Sequence, residues 1–254
     1  MNFISTIFNT FFYQPLMNLL VVIYQFIPGQ DFGLAIIFLT ILIRVILSPV
    51  SAKGVKAQKK LNEVQPEIKK MQEKYKNDKE KQVKEMLEIY KKAGVSPFSA
   101  FTPLLIQLPI LFALFRVLWG VQTTEAVEGL YSFVPAPGEI SSLFLGTIDL
   151  AETGLSQGAN GEGGLLIGNL IIIVGAVAAQ FIQMKMISAQ KKATKEKKGN
   201  TQEMAERMQK QMVYFFPFFT FFILLKLPIA IGLYWLVSTV FTIAQQHFIL
   251  KKNE

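Results

Sequence analysis

The chain has 254 residues, of which 51% are hydrophobic and only 17% are charged, and its formal net charge is +8. Soluble domains carry about 25% charged residues, so this composition favours a polytopic membrane protein over a soluble fold. Cysteine is absent, which excludes disulfides, a thiol nucleophile and a cysteine metal site. The single histidine, His247, cannot supply the paired ligands of a zinc protease.

The N-terminal residues 1–31 are predicted to form an interfacial amphipathic helix. Residues 3–12 alternate between pairs of apolar and pairs of small polar residues, which gives a helix one apolar face that suits the membrane interface. Pro15 is expected to bend the chain, and residues 16–27 are too short to cross a bilayer alone. The alternative, a secretory signal peptide, is disfavoured because the positive N-terminal region is missing.

Five further segments reach or approach the roughly 20 apolar residues that a helix needs to cross about 30 Å of hydrocarbon. The last two are joined by only a few residues around Leu227-Pro228 and should form a tight hairpin. The predicted fold is an all-α polytopic membrane protein with five transmembrane helices, TM1 to TM5. After the interfacial helix come TM1 at 32–50, a helical hairpin at 51–97, TM2 at 98–119, a loop at 120–164, TM3 at 165–187, a basic loop at 188–209, TM4 at 210–226, TM5 at 228–250 and a short tail at 251–254.

The distribution of lysines predicts the orientation. Residues 51–97 hold 13 Lys and 7 acids, and residues 189–209 hold 6 Lys or Arg and 3 acids, whereas residues 121–164 hold 6 acids and no Lys or Arg. The positive-inside rule places the hairpin, the basic loop and the tail in the cytoplasm and the N-terminus outside (N-out/C-in). The lysines within 191–198 are either only a determinant of this orientation or a contact for ribosomal RNA phosphates.

The hairpin at 51–97 shows helical periodicity on both sides of a turn at Asn77-Asp78. Apolar residues spaced three and four apart form one narrow stripe before the turn and another after it, which is typical of two antiparallel helices packed through their stripes. The stripes are Leu61, Val64, Ile68, Met71 and Tyr75, then Val83, Leu87 and Tyr90. The hairpin is either a solvated linker or a basic docking arm for the ribosome, a targeting factor or anionic lipid headgroups.

Arg44 lies slightly to the cytoplasmic side of the middle of TM1. An arginine there costs about 2.5–3.5 kcal/mol on insertion scales, and none of the five segments contains an Asp or Glu to pair with it. Its partner must be water, a lipid phosphate reached by snorkelling, or a group supplied by another molecule. Arg116 differs, because it lies near the outer end of TM2 and is expected to reach the headgroups.

Polar residues in the other spans are expected to converge with Arg44 on a cavity in the cytoplasmic half. Several share a helix face, since they are spaced three or four apart. The predicted site consists of Thr40, Arg44 and Ser48 in TM1, Gln107 in TM2, Gln180 and Gln183 in TM3, and Trp235, Ser238 and Thr242 in TM5, with Gln245 on the same TM5 face. The alternative is that these groups only hold the bundle together through interhelical hydrogen bonds.

The sequence offers little for covalent chemistry. It has no phosphate-binding loop of the Walker type, no serine with a neighbouring base within a span, and no intramembrane carboxylate for proton-coupled transport. We therefore expect no enzyme, no cofactor and no metal.

Short motifs in five parts of the chain resemble the YidC family of membrane protein insertases, which has mitochondrial and chloroplast relatives. They are LIR at 42–44 with Pro49, QPEI at 65–68 and YKKAGVSP at 90–97, PLLIQLPI at 103–110, FIQMKM at 181–186, and GLYW at 232–235 with QQ at 245–246. The resemblance covers about residues 32–250. One departure is Ala100-Phe101-Thr102, where the family has a stretch similar to Gly-Gly-Cys before the proline of its second span.

The resemblance implies a five-helix core with a hydrophilic groove open to the cytoplasm and to lipid. The family's groove arginine matches Arg44, and other groove positions match Gln183 and Trp235. The implied function is insertion of hydrophobic segments of nascent membrane proteins into the lipid bilayer of the bacterial cell membrane, without nucleotide hydrolysis, with the ribosome and the Sec translocon as further candidate partners. The alternatives are a transporter of small solutes or anions that uses Arg44, and a structural subunit of a membrane complex that inserts no proteins.

Overall fold

The computed structural model describes residues 3–96, 98, 102–120, 129–155, 167–189 and 200–251. Helices dominate the described residues, and a two-stranded antiparallel ribbon lies in the segment between α5 and α6. The elements are α1 (Phe3–Phe8), a π-helical stretch (Asn9–Tyr13), α2 (Gln14–Phe26), α3 (Phe32–Lys74), α4 (Lys79–Lys92), α5 (Thr102–Gly120), β1 (Leu143–Phe144), β2 (Ile148–Asp149), α6 (Ile167–Ala189), α7 (Asn200–Leu224) and α8 (Ile229–Lys251).

Four helical segments among the described residues are long and apolar enough to cross a membrane. They are Ser5–Phe26, α3, α6 and α8, while α5 and α7 carry shorter apolar runs at Gln107–Gly120 and Val213–Leu224. The protein is an all-helical polytopic membrane protein, so the coarse fold prediction is confirmed. The basic stretch 191–198 lies outside the described residues, and α7 begins ten residues before the predicted start of TM4 at 210.

The chain is helical from Phe3 to Phe26, so Pro15 does not end the helix. The π-helical stretch Asn9–Tyr13 directly precedes Pro15, and the Gln14 amide donates to the Asn9 carbonyl five residues earlier. Prolines and π-helical turns are both positions at which helices bend. Residues 16–27 are therefore part of a longer helical segment and not an isolated short one.

The helix α3 runs without interruption through the predicted boundary between TM1 at 32–50 and the hairpin at 51–97. It has 43 residues and contains both Pro49 and Pro66, so its length is about 64 Å at 1.5 Å per residue. Asp31 caps its N-terminus, since the carboxylate accepts a hydrogen bond from the Leu34 amide at 2.8 Å. One continuous rod therefore connects the bundle with the hairpin.

The hairpin consists of the end of α3 and the antiparallel helix α4, and it has a small core of its own. Ile68, Met71 and Ile89 are buried there, with Val64, Tyr75, Met86 and Tyr90 packed against them. The predicted stripe on the second helix is wrong for two of its residues, since Val83 and Leu87 are 53% and 50% exposed. The face that carries Met86 and Ile89 is turned towards α3, and Gln82 donates from Nε2 to the Gln72 carbonyl at 2.7 Å beside it.

Within the bundle, α8 packs mainly against α6 and α3, and α7 packs against α6. The segment 129–155 covers the turn between α7 and α8. The amides of Ile229 and Ala230 donate to the carbonyls of Glu152 and Leu150 at 2.8 and 2.9 Å, and the Leu155 amide donates to the Leu225 carbonyl at 3.2 Å. These bonds satisfy amides at the start of α8 that have no acceptor within their own helix.

Gly33 gives a test of how closely the ribbon packs on α3. A Cβ at Gly33 would lie 2.1 Å from the Phe144 ring, so Gly33→Ala should lower the free energy of unfolding by about 1–3 kcal/mol through overpacking. Thermal unfolding in detergent micelles would measure this loss. Gly175→Ala is the matched control, since its nearest contact is the Leu236 side chain at 3.4 Å. Equal stability of both variants would contradict the close approach.

Candidate functional site

The Arg44 guanidinium lies inside the bundle and is held by neutral side chains. Arg44 is half-buried. Its Nε donates to Ser238 Oγ at 2.8 Å, its Nη2 donates to Gln107 Oε1 at 2.7 Å, and Nη2 also contacts Ser238 Oγ. Both partners are uncharged, so the positive charge is not neutralised within the described part of the chain.

Gln107 links Arg44 to a buried tyrosine. Its amide oxygen accepts from Arg44, and its Nε2 donates to the Tyr234 hydroxyl at 2.5 Å. Tyr234 is only 2% exposed. We call Arg44, Gln107, Tyr234 and Ser238 the Arg44 cluster. Three helices contribute to it, namely α3, α5 and α8.

A second set of polar contacts joins α3 and α8 closer to the hairpin. Gln245 donates from Nε2 to Ser48 Oγ at 2.8 Å and to the Ser48 carbonyl at 3.1 Å, and its Oε1 accepts from Ser51 Oγ at 2.6 Å. We call Ser48, Ser51 and Gln245 the Gln245 clamp. The seam between α3 and α8 is therefore hydrogen-bonded at two levels.

Two threonines of the predicted site bond to their own helices. Thr40 is fully buried and donates to the Ile36 carbonyl at 2.6 Å, and Thr242 donates to the Ser238 carbonyl at 2.8 Å. Their hydroxyl protons are thus already used. This pattern is common for threonine within helices.

The predicted site residues on α6 form no hydrogen bond with the Arg44 cluster among the described residues. Gln180 is buried, and its Oε1 has no partner among the described residues. Gln183 and Trp235 are half-buried. The structure thus brings together Arg44, Gln107 and Ser238 and places Ser48 in the Gln245 clamp. Of the other predicted residues, Thr242 bonds to the backbone of Ser238, and the remaining four have no hydrogen bond to either set among the described residues.

Sequence reasoning missed Tyr234 and Ser51. Tyr234 is four residues before Ser238 and so shares its helix face, but a tyrosine in an apolar helix is usually interpreted as an interfacial residue. Ser51 follows the last apolar residue of the predicted TM1 and was assigned to the hairpin. The four-residue spacing on α8 was the available signal for Tyr234.

The cluster can bind a hydrogen-bond acceptor or an anion, but it offers no nucleophile. A guanidinium has five N–H donors, and in Arg44 the Nε and Nη2 donors bond to the neutral oxygens of Ser238 and Gln107. No group of three or more His, Asp or Glu residues suited to a metal ion is found among the described residues.

Arg116 is held differently from Arg44. It donates to Asn9 Oδ1, and its guanidinium carbon lies 4.5 Å from the centroid of the Tyr13 ring. Cation–π contacts of this kind stabilise by about 0.5–1 kcal/mol at exposed positions. Arg116 therefore fastens the N-terminal helical segment to α5.

The fold and the site define a class, that of multi-helix membrane proteins with a half-buried arginine held by neutral side chains from two neighbouring helices. A family model described as "60Kd inner membrane protein" matches residues 22–254. The chain belongs to this family, which confirms the resemblance to the YidC insertases, and it is a multi-pass protein of the bacterial cell membrane.

Curated relatives support the same assignment. Three proteins named "Membrane protein insertase YidC" are each 32% identical to this chain. The Streptomyces avermitilis protein matches 89% of this chain and 52% of its own length, and the Wolinella succinogenes protein 97% and 38%. The Fusobacterium nucleatum protein matches 88% of both chains. This chain thus spans about half or less of the first two relatives, and none of the three names states an enzymatic activity.

The bond between Gln107 and Tyr234 can be tested by stability. Tyr234→Phe removes the acceptor for the Gln107 amide in a buried position, and an unsatisfied buried donor costs about 1–3 kcal/mol. We expect a lower midpoint of thermal unfolding in detergent. Tyr214→Phe is the matched control, because Tyr214 is 62% exposed. If both variants unfold at the temperature of the wild type, the Tyr234 hydroxyl does not stabilise the cluster.

Proposed function

We propose that the protein is a membrane protein insertase that transfers hydrophobic segments of nascent proteins from the cytoplasm into the lipid bilayer without nucleotide hydrolysis. The observation that carries the proposal is the Arg44 cluster, in which a half-buried positive charge has only neutral partners. The names of the relatives favour insertion over solute transport or a purely structural role.

The proposed mechanism uses the Arg44 cluster as a transient binding site in a hydrated groove. A polar, often acidic, segment of the client accepts hydrogen bonds from Arg44, while the client's apolar segment lies against lipid-facing residues such as Val45 and Ile46, which are 54% and 63% exposed. Polar backbone groups are costly to expose to hydrocarbon. A hydrated groove shortens the distance over which the client's backbone must cross hydrocarbon without water. Burial of the client's apolar segment supplies the driving force, about 0.8 kcal/mol per methylene.

We further propose five membrane-spanning helices, α3, α5, α6, α7 and α8, with the N-terminus outside and the C-terminus inside. The segment Ser5–Phe26 is long enough to be a further span, but the contacts of α2 support an interfacial position. Asn18 bonds to Gly129 and Tyr131, and the Tyr24 hydroxyl accepts from the Ser141 amide. The middle and the end of α2 thus contact the same segment between α5 and α6.

The proposed partners follow from the charges of the two cytoplasmic regions. The hairpin at 51–97 carries 13 Lys, which suits the ribosome, a targeting factor or anionic headgroups. The lysines within 191–198 suit ribosomal RNA phosphates. Nascent membrane proteins and the bilayer are the substrates of the proposed activity, and the Sec translocon is a further candidate partner.

Topology can be tested with single cysteines, since the native chain has none. We expect Lys84→Cys on α4 to react with an impermeant maleimide only from the cytoplasmic side. Ser132→Cys and Asn2→Cys should react only from the outside. Labelling of Asn2→Cys from the cytoplasm would show that Ser5–Phe26 crosses the membrane and would contradict the N-out orientation.

The electrostatic role of Arg44 can be tested by reconstituted insertion of two clients, one with an acidic and one with a neutral outer tail. A hydrogen bond to a charged group contributes about 1.5–3 kcal/mol, so Arg44→Ala should slow insertion of the acidic client roughly 10- to 100-fold. Arg44→Lys should lose less, because it keeps the charge but not the planar set of donors.

Arg116→Lys is the matched control, since it changes an arginine outside the cluster and should leave both clients unaffected. Equal insertion of both clients by the wild type and all variants would reject the electrostatic role. Failure of the wild type to insert either client would reject the insertase proposal itself.

A further inference from the structure

The Gln245 clamp surrounds a proline within α3. Pro49 lies between Ser48 and Ser51, and both serines bond to Gln245 of α8. We propose that Gln245 is a positioning residue that fastens α3 to α8 across Pro49 and thereby sets the direction in which the rest of α3 carries the hairpin.

Pro49 makes this point a weak one of α3, as Pro66 does further along the helix. A proline has no N–H, so the Val45 carbonyl lacks its usual donor, and sharp helix kinks occur almost always at such positions. The side chain of Gln245 supplies contacts on both sides of the proline from another helix. Its Nε2 donates to Ser48 Oγ at 2.8 Å and its Oε1 accepts from Ser51 Oγ at 2.6 Å, so a bend at Pro49 shifts the two serines relative to each other and strains these bonds.

A small bend there has a large effect at the far end of the helix. α3 continues for 25 residues from Pro49 to Lys74, which is about 37 Å at 1.5 Å per residue. A kink of roughly 20° would move the end of α3 by about 13 Å. The small core of Ile68, Met71 and Ile89 ties α4 to α3, so the whole hairpin moves with it.

Asn62 provides a second, weaker contact between this part of α3 and the bundle. It is buried and donates from Nδ2 to the Ile187 carbonyl near the end of α6, but at 3.5 Å. Hydrogen bonds of that length are weak. Gln245 therefore contributes more of the constraint. The effect on hairpin position is independent of the proposed function, whereas its consequence for insertion depends on it.

Double electron–electron resonance on the full chain in lipid tests the proposal. Spin labels at Lys84→Cys on α4 and Ile182→Cys on α6 report the distance between hairpin and bundle without interference from native cysteines. Gln245→Ala should broaden or shift this distance distribution by several ångströms, up to the roughly 13 Å of a 20° kink. Pro49→Ala restores the missing backbone donor, so adding it to Gln245→Ala should return the wild-type distribution.

His247→Ala is the control on the same helix, since His247 is exposed and the structure gives it no hydrogen bond to α3 among the described residues. An unchanged distribution in Gln245→Ala, or a change that Pro49→Ala does not reverse, would overturn the proposal. A change seen only when Asn62→Ala is added would assign the positioning to both residues and overturn the claim for Gln245 alone.

In the insertion assay, a loss of activity in Gln245→Ala that Pro49→Ala restores would show that the hairpin position matters for clients. Inactivity of the wild type would count against the proposed function but not against the distance result.

Discussion

The charge of Arg44 is the constraint on which the arrangement of the bundle depends. A guanidinium in a transmembrane segment loses its hydrating water. An acidic partner would take the place of that water but would also neutralise the positive charge. Here Ser238 and Gln107 supply oxygen acceptors without negative charge. Hydrogen bonds to a charged donor contribute about 1.5–3 kcal/mol each. They offset part of the desolvation cost and leave the positive charge in place.

The contacts between α3 and α8 change from apolar to polar at the Arg44 cluster. On one side α3 contributes Ala35, Ile36 and Leu39, all fully buried in the apolar core. On the other side the two helices meet through the hydroxyl and amide groups of the Gln245 clamp. The apolar half is also the half covered by α2 and by the segment 129–155. On the hairpin side of Arg44, water therefore has polar groups to solvate, and on the other side it has few. The proposed groove would accordingly be open towards the hairpin and closed on the opposite side.

The sequence predicted the helical character and the main site residues because these depend on composition and polarity. A charged or amide side chain in an apolar stretch is conspicuous, and Arg44, Gln107 and Ser238 were identified in this way. Tyr234 was missed because its large aromatic ring fits an apolar helix, so its hydroxyl group did not mark it as a polar site residue. The face of α4 was missed because Val83 and Leu87 form as good a stripe as Met86 and Ile89, and the choice between them depends on packing against Ile68 and Met71 of α3.

The helix ends were harder to predict than the spans. Hydropathy falls after Val50, but a change of polarity does not end a helix, and α3 continues to Lys74. The structural effect of a proline likewise cannot be predicted from the sequence around it alone. Pro15 follows a π-helical stretch, whereas Pro49 is flanked by two serines that a residue 194 or more positions later holds in place. Such compensation depends on a partner distant in sequence, which no local pattern indicates.

The sharing of Ser238 by two nitrogens of Arg44 suggests how the cluster releases what it binds. Ser238 Oγ accepts from both Nε and Nη2, so an incoming acceptor that takes over Nη2 leaves the Nε bond intact. In the proposed mechanism, Arg44 then stays anchored to α8 while its outer donors exchange between Gln107 and a client. The net gain of such an exchange is the difference between two hydrogen bonds to the same charged donor, which is smaller than the strength of either. A buried carboxylate in place of Gln107 would raise the cost of the exchange, because breaking a buried ion pair leaves an unpaired charge and costs about 3–5 kcal/mol. Neutral partners thus suit the proposed function, in which the site binds each segment briefly and then releases it into the bilayer.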